Sequence, residues 1–172
     1  MKQEEEKEIK ELIEKIYKKM LKEGIDARDK KRFKKRIGTT DEHGIYVYRP
    51  EKGWQLLRIE GEAFRLGELG NGVYVLYFDN TKCPACRIHD IAWYPFVEKH
   101  EREAHFVVIL CEWFSRHCRS SAAAKSFISY RIRASPTTIF AYVEENIIVK
   151  QVKREGALTV SELEALLESM KK

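Results

Sequence analysis

The sequence contains no run of about 20 apolar residues, which is the length that a helix needs to cross a membrane. The first eight residues, Met1 to Glu8, also lack the apolar segment of a secretory leader. These two absences predict a cytoplasmic protein with no membrane partner. Hydrophobic residues nevertheless make up 44% of the 172 residues, which is enough for a real core.

Asparagine and glutamine are scarce, with three residues of each, whereas 34% of the residues are charged. Proteins of hyperthermophiles share this balance, so the composition favours a thermophilic source. The source matters for the four cysteines, because intracellular proteins of hyperthermophiles can keep structural disulfides that other cytosols reduce. The compartment therefore does not decide the redox state of these cysteines.

Two of the cysteines form the motif Cys83-Pro84-Ala85-Cys86, which follows an apolar run from Val73 to Phe78. The run predicts a buried strand, and the residues after the motif predict a helix. The sulfur of Cys83 is then expected at a helix N-terminus, where unpaired amides and the helix dipole stabilise a thiolate. Pro84 falls at about the first helical position, which suits its fixed φ and its missing N–H. This is the electrostatic setting of a reactive cysteine.

Residues of about 3 to 23 predict a charged helix that ends at Gly24. Its apolar residues lie at helical spacing: Ile9, Leu12, Ile13, Ile16, Tyr17, Met20 and Leu21. An isolated helix of this length is marginal in water, so we expect the stripe to be covered. The cover is either the neighbouring domain or the same helix of a second chain, which makes the protein a monomer or a dimer through this helix.

A basic segment follows at residues 30 to 36, where Phe33 is the single aromatic. Lysines and arginines at this density contact phosphates in some proteins, but here they lack interleaved aromatics. We expect a solvated face and no nucleic-acid partner. The chain is accordingly divided into an N-terminal charged helical extension, residues 1–40, and a domain of residues 41–172.

The domain is predicted to be of the α/β class. Strands at 44–48 and 54–59 predict a hairpin, and a short helix at about 62–69 precedes the strand that leads to the cysteine motif. A kinked helix with Pro95 inside it follows the motif, and the run 105–111 is apolar on both faces, as a central parallel strand is. A helix at 120–130, an antiparallel hairpin of 137–143 with 147–153, and a final helix after the capping box Thr159-Val160-Ser161-Glu162 complete the domain.

From Val73 onward, the order strand, Cys-x-x-Cys, helix, strand, helix, Pro-Thr strand, strand, helix resembles the thioredoxin family. The stretch from Tyr130 to Phe140 is similar to the family's segment around its cis-proline, and Glu155 to Leu158 resembles the join into its last helix. The resemblance covers about 100 residues. It implies a thioredoxin-like fold, in which a central mixed sheet is flanked by helices, with an N-terminal helical extension.

The resemblance also implies a thiol–disulfide oxidoreductase that serves electron transport and cell redox homeostasis without a cofactor. Its partners would be protein disulfides or dithiols and a reductase or other redox donor. By position, Cys83 is the nucleophile and Cys86 resolves the mixed disulfide. Pro136 would be the cis-proline that faces this pair, and Ser135 before it would offer backbone N–H and C=O groups to an extended substrate.

The sequence departs from the family around the motif. Tyr77 stands where the family has a buried acid, six residues before the first cysteine, and Asp79 is the nearest acid. Lys82 replaces the usual aromatic before that cysteine, and its charge should favour the thiolate. Pro84 and Ala85 replace the common glycine-proline pair, so we expect a reduction potential that differs from that of a housekeeping reductase. No Gly-Gly pair of a glutathione site follows the cis-proline strand.

The second cysteine pair, Cys111 and Cys118, flanks a stretch that resembles an insertion relative to the family. Three interpretations stay open: a structural disulfide or two buried thiols, a pair that exchanges electrons with Cys83 and Cys86, and a zinc site with four thiolates. Six intervening residues are wide for a zinc knuckle, so we favour the first and predict no metal. We expect His89, one turn after Cys86, to be partly exposed.

Two further functions stay open from the sequence. The protein could be a non-catalytic redox-responsive binding module, in which the N-terminal helix and the basic segment engage a partner and oxidation of Cys83 and Cys86 sets the affinity. It could also be a zinc-stabilised interaction domain that uses all four cysteines.

Overall fold

A computed structural model of the chain describes residues 2–30, 34–114 and 116–171, and the side chains of 3–19 within the first of these ranges. The chain divides into two compact units, Met1–Lys34 and Lys35–Lys172. Within the described ranges, no helix combines the length and the apolar character that crossing a membrane requires.

The first unit contains helix α1 (Lys2–Lys30). This helix continues past Gly24, so the prediction that Gly24 ends it is wrong. A single glycine inside a helix costs only about 1 kcal/mol, and residues that are compatible with a helix follow it. The apolar side chains of its described part are 49% to 64% exposed: Ile9, Leu12, Ile13, Ile16 and Tyr17. The side chains of Met20 and Leu21, and residues 31–33 of the basic segment, lie outside the described residues.

The second unit is built on six strands: β1 (Gly44–Arg49), β2 (Gly53–Arg58), β3 (Gly72–Asn80), β4 (His105–Cys111), β5 (Thr137–Glu144) and β6 (Ile147–Glu155). They form one sheet in the order β2-β1-β4-β3-β5-β6. Strands β3 and β4 are parallel, whereas the other neighbouring pairs are antiparallel. Both predicted hairpins and the parallel central strand are therefore confirmed.

Three helices flank this sheet: α2 (Pro84–Lys99), α3 (Ser121–Ser129) and α4 (Val160–Lys171). Each lies where the sequence predicts a helix, and α2 continues through Pro95. Alternate residues of β3 point to opposite faces of the sheet, and helices cover both faces. Val75 and Tyr77 pack in one cluster with Trp93 of α2, and Leu76 packs in the other with Phe127 of α3. All five side chains are at most 2% exposed.

The predicted helix at 62–69 is wrong, because this segment forms turns. Gly67 and Gly70 have φ angles of +101° and +100°, which a right-handed helix does not allow. The guanidinium group of Arg58 on β2 holds the segment. It binds both carboxylate oxygens of Glu68, at 2.8 and 2.9 Å, and donates to two backbone carbonyl groups of residues 62 and 63. Contacts with β2 thus override the local preference for a helix.

Helix α4 begins at the predicted capping box, which brings two polar groups together reciprocally. The backbone N–H of Glu162 donates to Thr159 Oγ1 at 3.2 Å, and the Thr159 hydroxyl donates to Glu162 Oε1 at 3.1 Å. Leu163 and Leu167, which follow on the inner face, have no exposed surface. The cap therefore sets where the helix starts, and the two leucines hold it on the sheet.

We expect the substitution Thr159→Ala to lower the free energy of unfolding by about 1 kcal/mol, because it leaves the N–H of Glu162 without its acceptor. Ser161→Ala is the matched control, since Ser161 is exposed in the same helical turn, and its effect should stay within about 0.5 kcal/mol. Urea unfolding followed by circular dichroism measures both. Equal effects of the two substitutions would show that the cap does not stabilise the helix.

Candidate active site

The cysteine motif lies where β3 is followed by α2. The backbone N–H of Cys83 donates to the carbonyl of Asn80, the last residue of β3, at 3.1 Å, and the N–H of Cys86 donates to the carbonyl of Cys83 at 3.1 Å. Cys83 is the N-cap residue of α2 and has extended backbone angles, and Pro84 is the first helical residue. This arrangement places the Cys83 sulfur at the helix N-terminus, as the sequence predicts.

Cys83 is a free, partly exposed thiol. Partial burial acts to raise its pKa, but hydrogen bonds with the Ser135 side chain and with the backbone of Cys86 and Ala85 outweigh burial, so the pKa of Cys83 is lowered. The Cys83 thiol also lies 3.2 Å from the backbone carbonyl oxygen of Ser135 and donates to it. Ionisation ends this donation, and the amide groups at the start of the helix then stabilise the thiolate.

The chain that faces Cys83 includes the Ser135–Pro136 peptide bond, which is cis. The carbonyl oxygen of Pro136 accepts a hydrogen bond from the N–H of Gly156 at 2.8 Å, and the Thr137 hydroxyl donates to the carbonyl of Ala134 at 2.6 Å. These bonds hold the segment on both sides of the proline. Ser135 is therefore brought next to Cys83, as the resemblance implied.

Cys86 is also a free thiol, but it has no exposed surface. Burial is the main cause that raises the pKa of Cys86 well above its ordinary range, and the negative charge of Asp79 adds to it. The Cys86 sulfur accepts a hydrogen bond from the N–H of Asn80 at 3.5 Å. The two thiols of the motif thus lie in opposite environments.

A buried polar network lies beside Cys86. Asp79 has no exposed surface, and its Oδ1 is 2.5 Å from a guanidinium nitrogen of Arg87, whose Nε is 3.0 Å from Asp90. Burial, followed by the charge of Asp90, raises the pKa of Asp79 to about 7 against the opposing effect of Arg87. The second oxygen of Asp79 has no hydrogen-bond partner within the described ranges of the chain. Such an oxygen is able to take up a proton.

Tyr77, at the position of the family's buried acid, does not act as a proton acceptor, because its hydroxyl stays protonated. Its hydroxyl lies 2.7 Å from Asp90 Oδ1 and 3.0 Å from the carbonyl oxygen of Cys86, and burial raises its pKa well above the ordinary value for tyrosine. Asp79 is two residues further along the same strand, so its side chain points to the same face of the sheet as Tyr77. The sequence named Asp79 only as the nearest acid. This alternation along the strand is the signal that could have placed it beside Cys86.

His89 has no exposed surface, so the expectation that it is partly exposed is wrong. Its Nδ1 accepts a hydrogen bond from the N–H of Leu158 at 3.1 Å, which leaves the proton on Nε2, 3.3 Å from the Thr138 hydroxyl. Burial lowers the pKa of His89 to about 4. The neutral ring therefore connects α2 to β5 and to the segment before α4. The sequence missed this role because the partners are 49 and 69 residues away.

Lys82 and the residues inside the motif occupy the exposed side of the site. The Lys82 side chain is 69% exposed, and its ammonium group lies 3.8 Å from a carboxylate oxygen of Glu112. This pairing offsets part of the positive charge that Lys82 was expected to bring to Cys83. The contribution of Ala85 is its backbone, which takes part in lowering the pKa of Cys83.

Cys111 and Cys118 form a disulfide, with 4.9 Å between their Cα atoms. Cys111 is paired in register with Asn80 on the neighbouring strand, so this second pair lies one strand away from the cysteine motif. Because these two sulfurs are bonded to each other, the structure does not present the four thiolates that the zinc interpretation requires. Within the described residues, no three His, Cys, Asp or Glu side chains are grouped to hold a metal ion.

The sequence matches no protein-family profile and no curated protein. Solved structures that resemble the chain include chloroplastic thioredoxin z and the thioredoxins of Aeropyrum pernix and Trichomonas vaginalis. In that order the identities are 11%, 19% and 17%, and the TM-scores are 0.49, 0.48 and 0.49. The similarity covers 68%, 77% and 65% of this chain and 97%, 96% and 96% of those chains. The chain has the architecture that the sequence resemblance implied, a mixed sheet flanked by helices with an N-terminal helix before it.

The raised pKa of Asp79 implies that the free energy of unfolding depends on pH. Its value of about 7 in the folded protein, against 3.8 ordinarily, means that the folded state binds this proton more tightly than the unfolded state. The free energy of unfolding that the Asp79 proton contributes is therefore complete below about pH 4 and is lost as the pH rises to about 7. Above that pH it changes no further. In Asp79→Asn this loss is absent, so the variant should gain up to about 4 kcal/mol relative to the wild type across that window.

Urea unfolding of both proteins at pH 4.5, 6 and 8 measures this difference. Glu62→Gln is the matched control, because the Glu62 side chain is 91% exposed, and this substitution should change the free energy of unfolding by less than about 0.5 kcal/mol. A difference between Asp79→Asn and the wild type that does not vary with pH would contradict the raised pKa.

Proposed function

We propose that the protein is a thiol–disulfide oxidoreductase that exchanges disulfides with protein substrates through Cys83 and Cys86. The observation that carries this proposal is the opposite environment of the two thiols. Cys83 is partly exposed with a lowered pKa, whereas Cys86 is fully buried with a raised pKa. A pair of this kind supports an order of reaction, in which the accessible thiolate attacks first and the buried thiol reacts second.

The reaction in the reducing direction has two steps. The Cys83 thiolate attacks one sulfur of the substrate disulfide, which forms a mixed disulfide and releases the other substrate sulfur as a thiolate that takes up a proton. Cys86 then loses its proton and attacks the Cys83 sulfur, which forms the Cys83–Cys86 disulfide and releases the second substrate thiolate. Two electrons pass from the protein dithiol to the substrate. A second dithiol, supplied by a reductase or another redox donor, restores the free thiols by the reverse exchange.

We propose that Asp79 is the base that takes up the proton of the Cys86 thiol. The second step requires a base, because the buried Cys86 thiol has a raised pKa and ionises poorly by itself. Asp79 is buried near Cys86, has an oxygen without a hydrogen-bond partner among the described residues, and has a pKa of about 7, which is close to neutral pH. Arg87, whose side chain is 33% exposed, connects this carboxylate to the surface.

We propose that an extended substrate segment docks beside Ser135. The Ser135 carbonyl already accepts the Cys83 thiol at 3.2 Å, so a backbone paired with Ser135 would hold its own sulfur close to Cys83. The substrate of this geometry is a polypeptide disulfide. Residues 41–172 would carry this activity, and residues 1–40 would form an extension outside it.

A second candidate function is favoured by the exposed apolar stripe of α1. In this alternative, the protein is a non-catalytic module that binds a partner through α1, and the redox state of Cys83 and Cys86 sets the affinity. Capture of a partner that persists unchanged in both Cys83→Ser and Cys86→Ser would exclude this alternative.

We expect Cys83→Ser to abolish the catalysed reduction of insulin by dithiothreitol, because it removes the attacking sulfur. Cys86→Ser should instead accumulate a mixed disulfide with insulin, since the resolving sulfur is missing. Turbidity measures the reduction, and intact-mass measurement without reductant detects the mixed disulfide.

Cys118→Ser is the control for these experiments, because it removes a cysteine outside the motif and should retain catalysis above the uncatalysed rate. The proposal would be overturned if the wild-type protein does not accelerate reduction, or if Cys83→Ser retains its full rate.

A further inference from the structure

The disulfide between Cys111 and Cys118 closes a loop, residues 111–118, that we call the disulfide loop. Two consecutive residues of this loop, Trp113 and Phe114, have φ angles of +49° and +59°, in the left-handed region that favours glycine. A residue other than glycine is strained in this region and persists there only where its surroundings hold it. The disulfide is one such constraint. Ser115 lies outside the described residues.

The two aromatic side chains of the disulfide loop have different environments. Phe114 is partly buried and packs against a core cluster, with its ring centroid 6.4 Å from that of Phe127 on α3. Trp113 is 50% exposed, and its ring lies edge-on to Phe114 at 5.9 Å. Phe114 therefore fixes the loop to the domain, while Trp113 presents a large apolar surface to solvent.

A single buried side chain connects Trp113 to the candidate active site. The side-chain oxygen of Asn80, which is 2% exposed, accepts the backbone N–H of Trp113 at 2.9 Å and the N–H of Lys82 at 3.1 Å. The Nδ2 group of Asn80 lies 3.5 Å from Ser135 Oγ. The same amide thus contacts the exposed tryptophan, the residue before Cys83, and the proposed docking segment.

An ion pair gives a second connection between the disulfide loop and the motif. Glu112 of the loop lies 3.8 Å from the ammonium group of Lys82. The Glu112 side chain is only 23% exposed, whereas that of Lys82 is 69% exposed. The ion pair thus brings together the two segments that contain Cys83 and Trp113, each of which is next in sequence to a member of the pair.

We propose that Trp113 is a substrate-docking residue, which contacts an apolar side chain of the polypeptide whose disulfide Cys83 attacks. This inference rests on the proposed function, and it explains how the site around Cys83 would select protein substrates. Tryptophan supplies a large contact area and is enriched among the residues that dominate binding energy at interfaces. The disulfide, Phe114 and Asn80 hold its backbone in place before the substrate arrives, which reduces the ordering cost of binding.

The test compares two probes, insulin and bis(2-hydroxyethyl) disulfide, in a Cys86→Ser background where the reaction stops at the mixed disulfide. The measured quantity is the second-order rate constant of its formation, with the Cys111–Cys118 bond verified by intact mass. Adding Trp113→Ala should lower the rate with insulin by about 5- to 20-fold. The rate with the small disulfide, which carries no polypeptide side chain to dock, should change by less than about 2-fold.

Two further variants separate docking from a structural effect. Trp113→Phe keeps an aromatic surface and should retain at least about half of the insulin rate. Ile147→Ala removes a side chain that is 65% exposed at the start of β6, at the opposite end of β5 from Pro136, and should leave both rates unchanged.

The proposal is overturned if Trp113→Ala leaves the insulin rate within 2-fold of its parent, or if it lowers the rates with both probes equally, since equal losses indicate a change at Cys83 itself. If the Cys86→Ser parent reacts with the small disulfide and Trp113→Ala lowers both rates equally, the docking role fails but the proposed function stands. A parent that reacts with neither probe contradicts the proposed function, and the docking role fails with it.

Discussion

Cys83 and Cys86 lie at the start of α2, and the backbone of Asn80 forms a hydrogen bond with each of these residues. The Asn80 carbonyl accepts the N–H of Cys83, and the Asn80 N–H donates to the Cys86 sulfur. One sulfur thereby lies at the helix N-terminus near solvent, and the other lies in the core. The side chain of the same residue also reaches the disulfide loop and Ser135, so four segments of the domain meet at Asn80.

The electrostatics of the site follow from burial on one side of this turn. Asp79 is placed in the core beside Cys86, and its raised pKa shows that keeping it charged there opposes folding. Arg87 compensates part of this cost, whereas the negative charge of Asp90 adds to it. A chain selected for stability alone would fill that space with apolar side chains. The retained carboxylate is consistent with the proposed role of Asp79 as the group that takes up the proton of Cys86.

Much of the fold could be predicted from the sequence, because period-two and helical patterns report burial directly. The parallel strand β4 and the hairpins β1/β2 and β5/β6 are confirmed in this way. The failures have local causes. The segment 62–69 has a helical composition, but Gly67 within it and Gly70 just after it adopt positive φ, and Arg58 binds the segment from β2. Gly24 does not end α1, since one interior glycine costs too little to stop a long helix.

The candidate site was predictable only where its residues are neighbours in sequence. The position of Cys83 at a helix start follows from the local pattern. The burial of His89 and the bond from Asn80 to Trp113 depend on partners 33 to 69 residues away, which no local pattern specifies. The pairing of Cys111 with Cys118 was likewise one of three open interpretations, because spacing alone does not distinguish a disulfide from free thiols or metal ligands.

The most direct test of the account is the pH dependence of thiol alkylation in the fully folded, reduced motif, resolved by peptide mass for each cysteine. We expect Cys83 to react with iodoacetamide along a titration curve whose midpoint lies below that of an unperturbed cysteine, about 8.5. Cys86 should remain unmodified at every pH at which the protein stays folded. Equal reactivity of the two cysteines, or a midpoint for Cys83 at or above that of a free thiol, would contradict it.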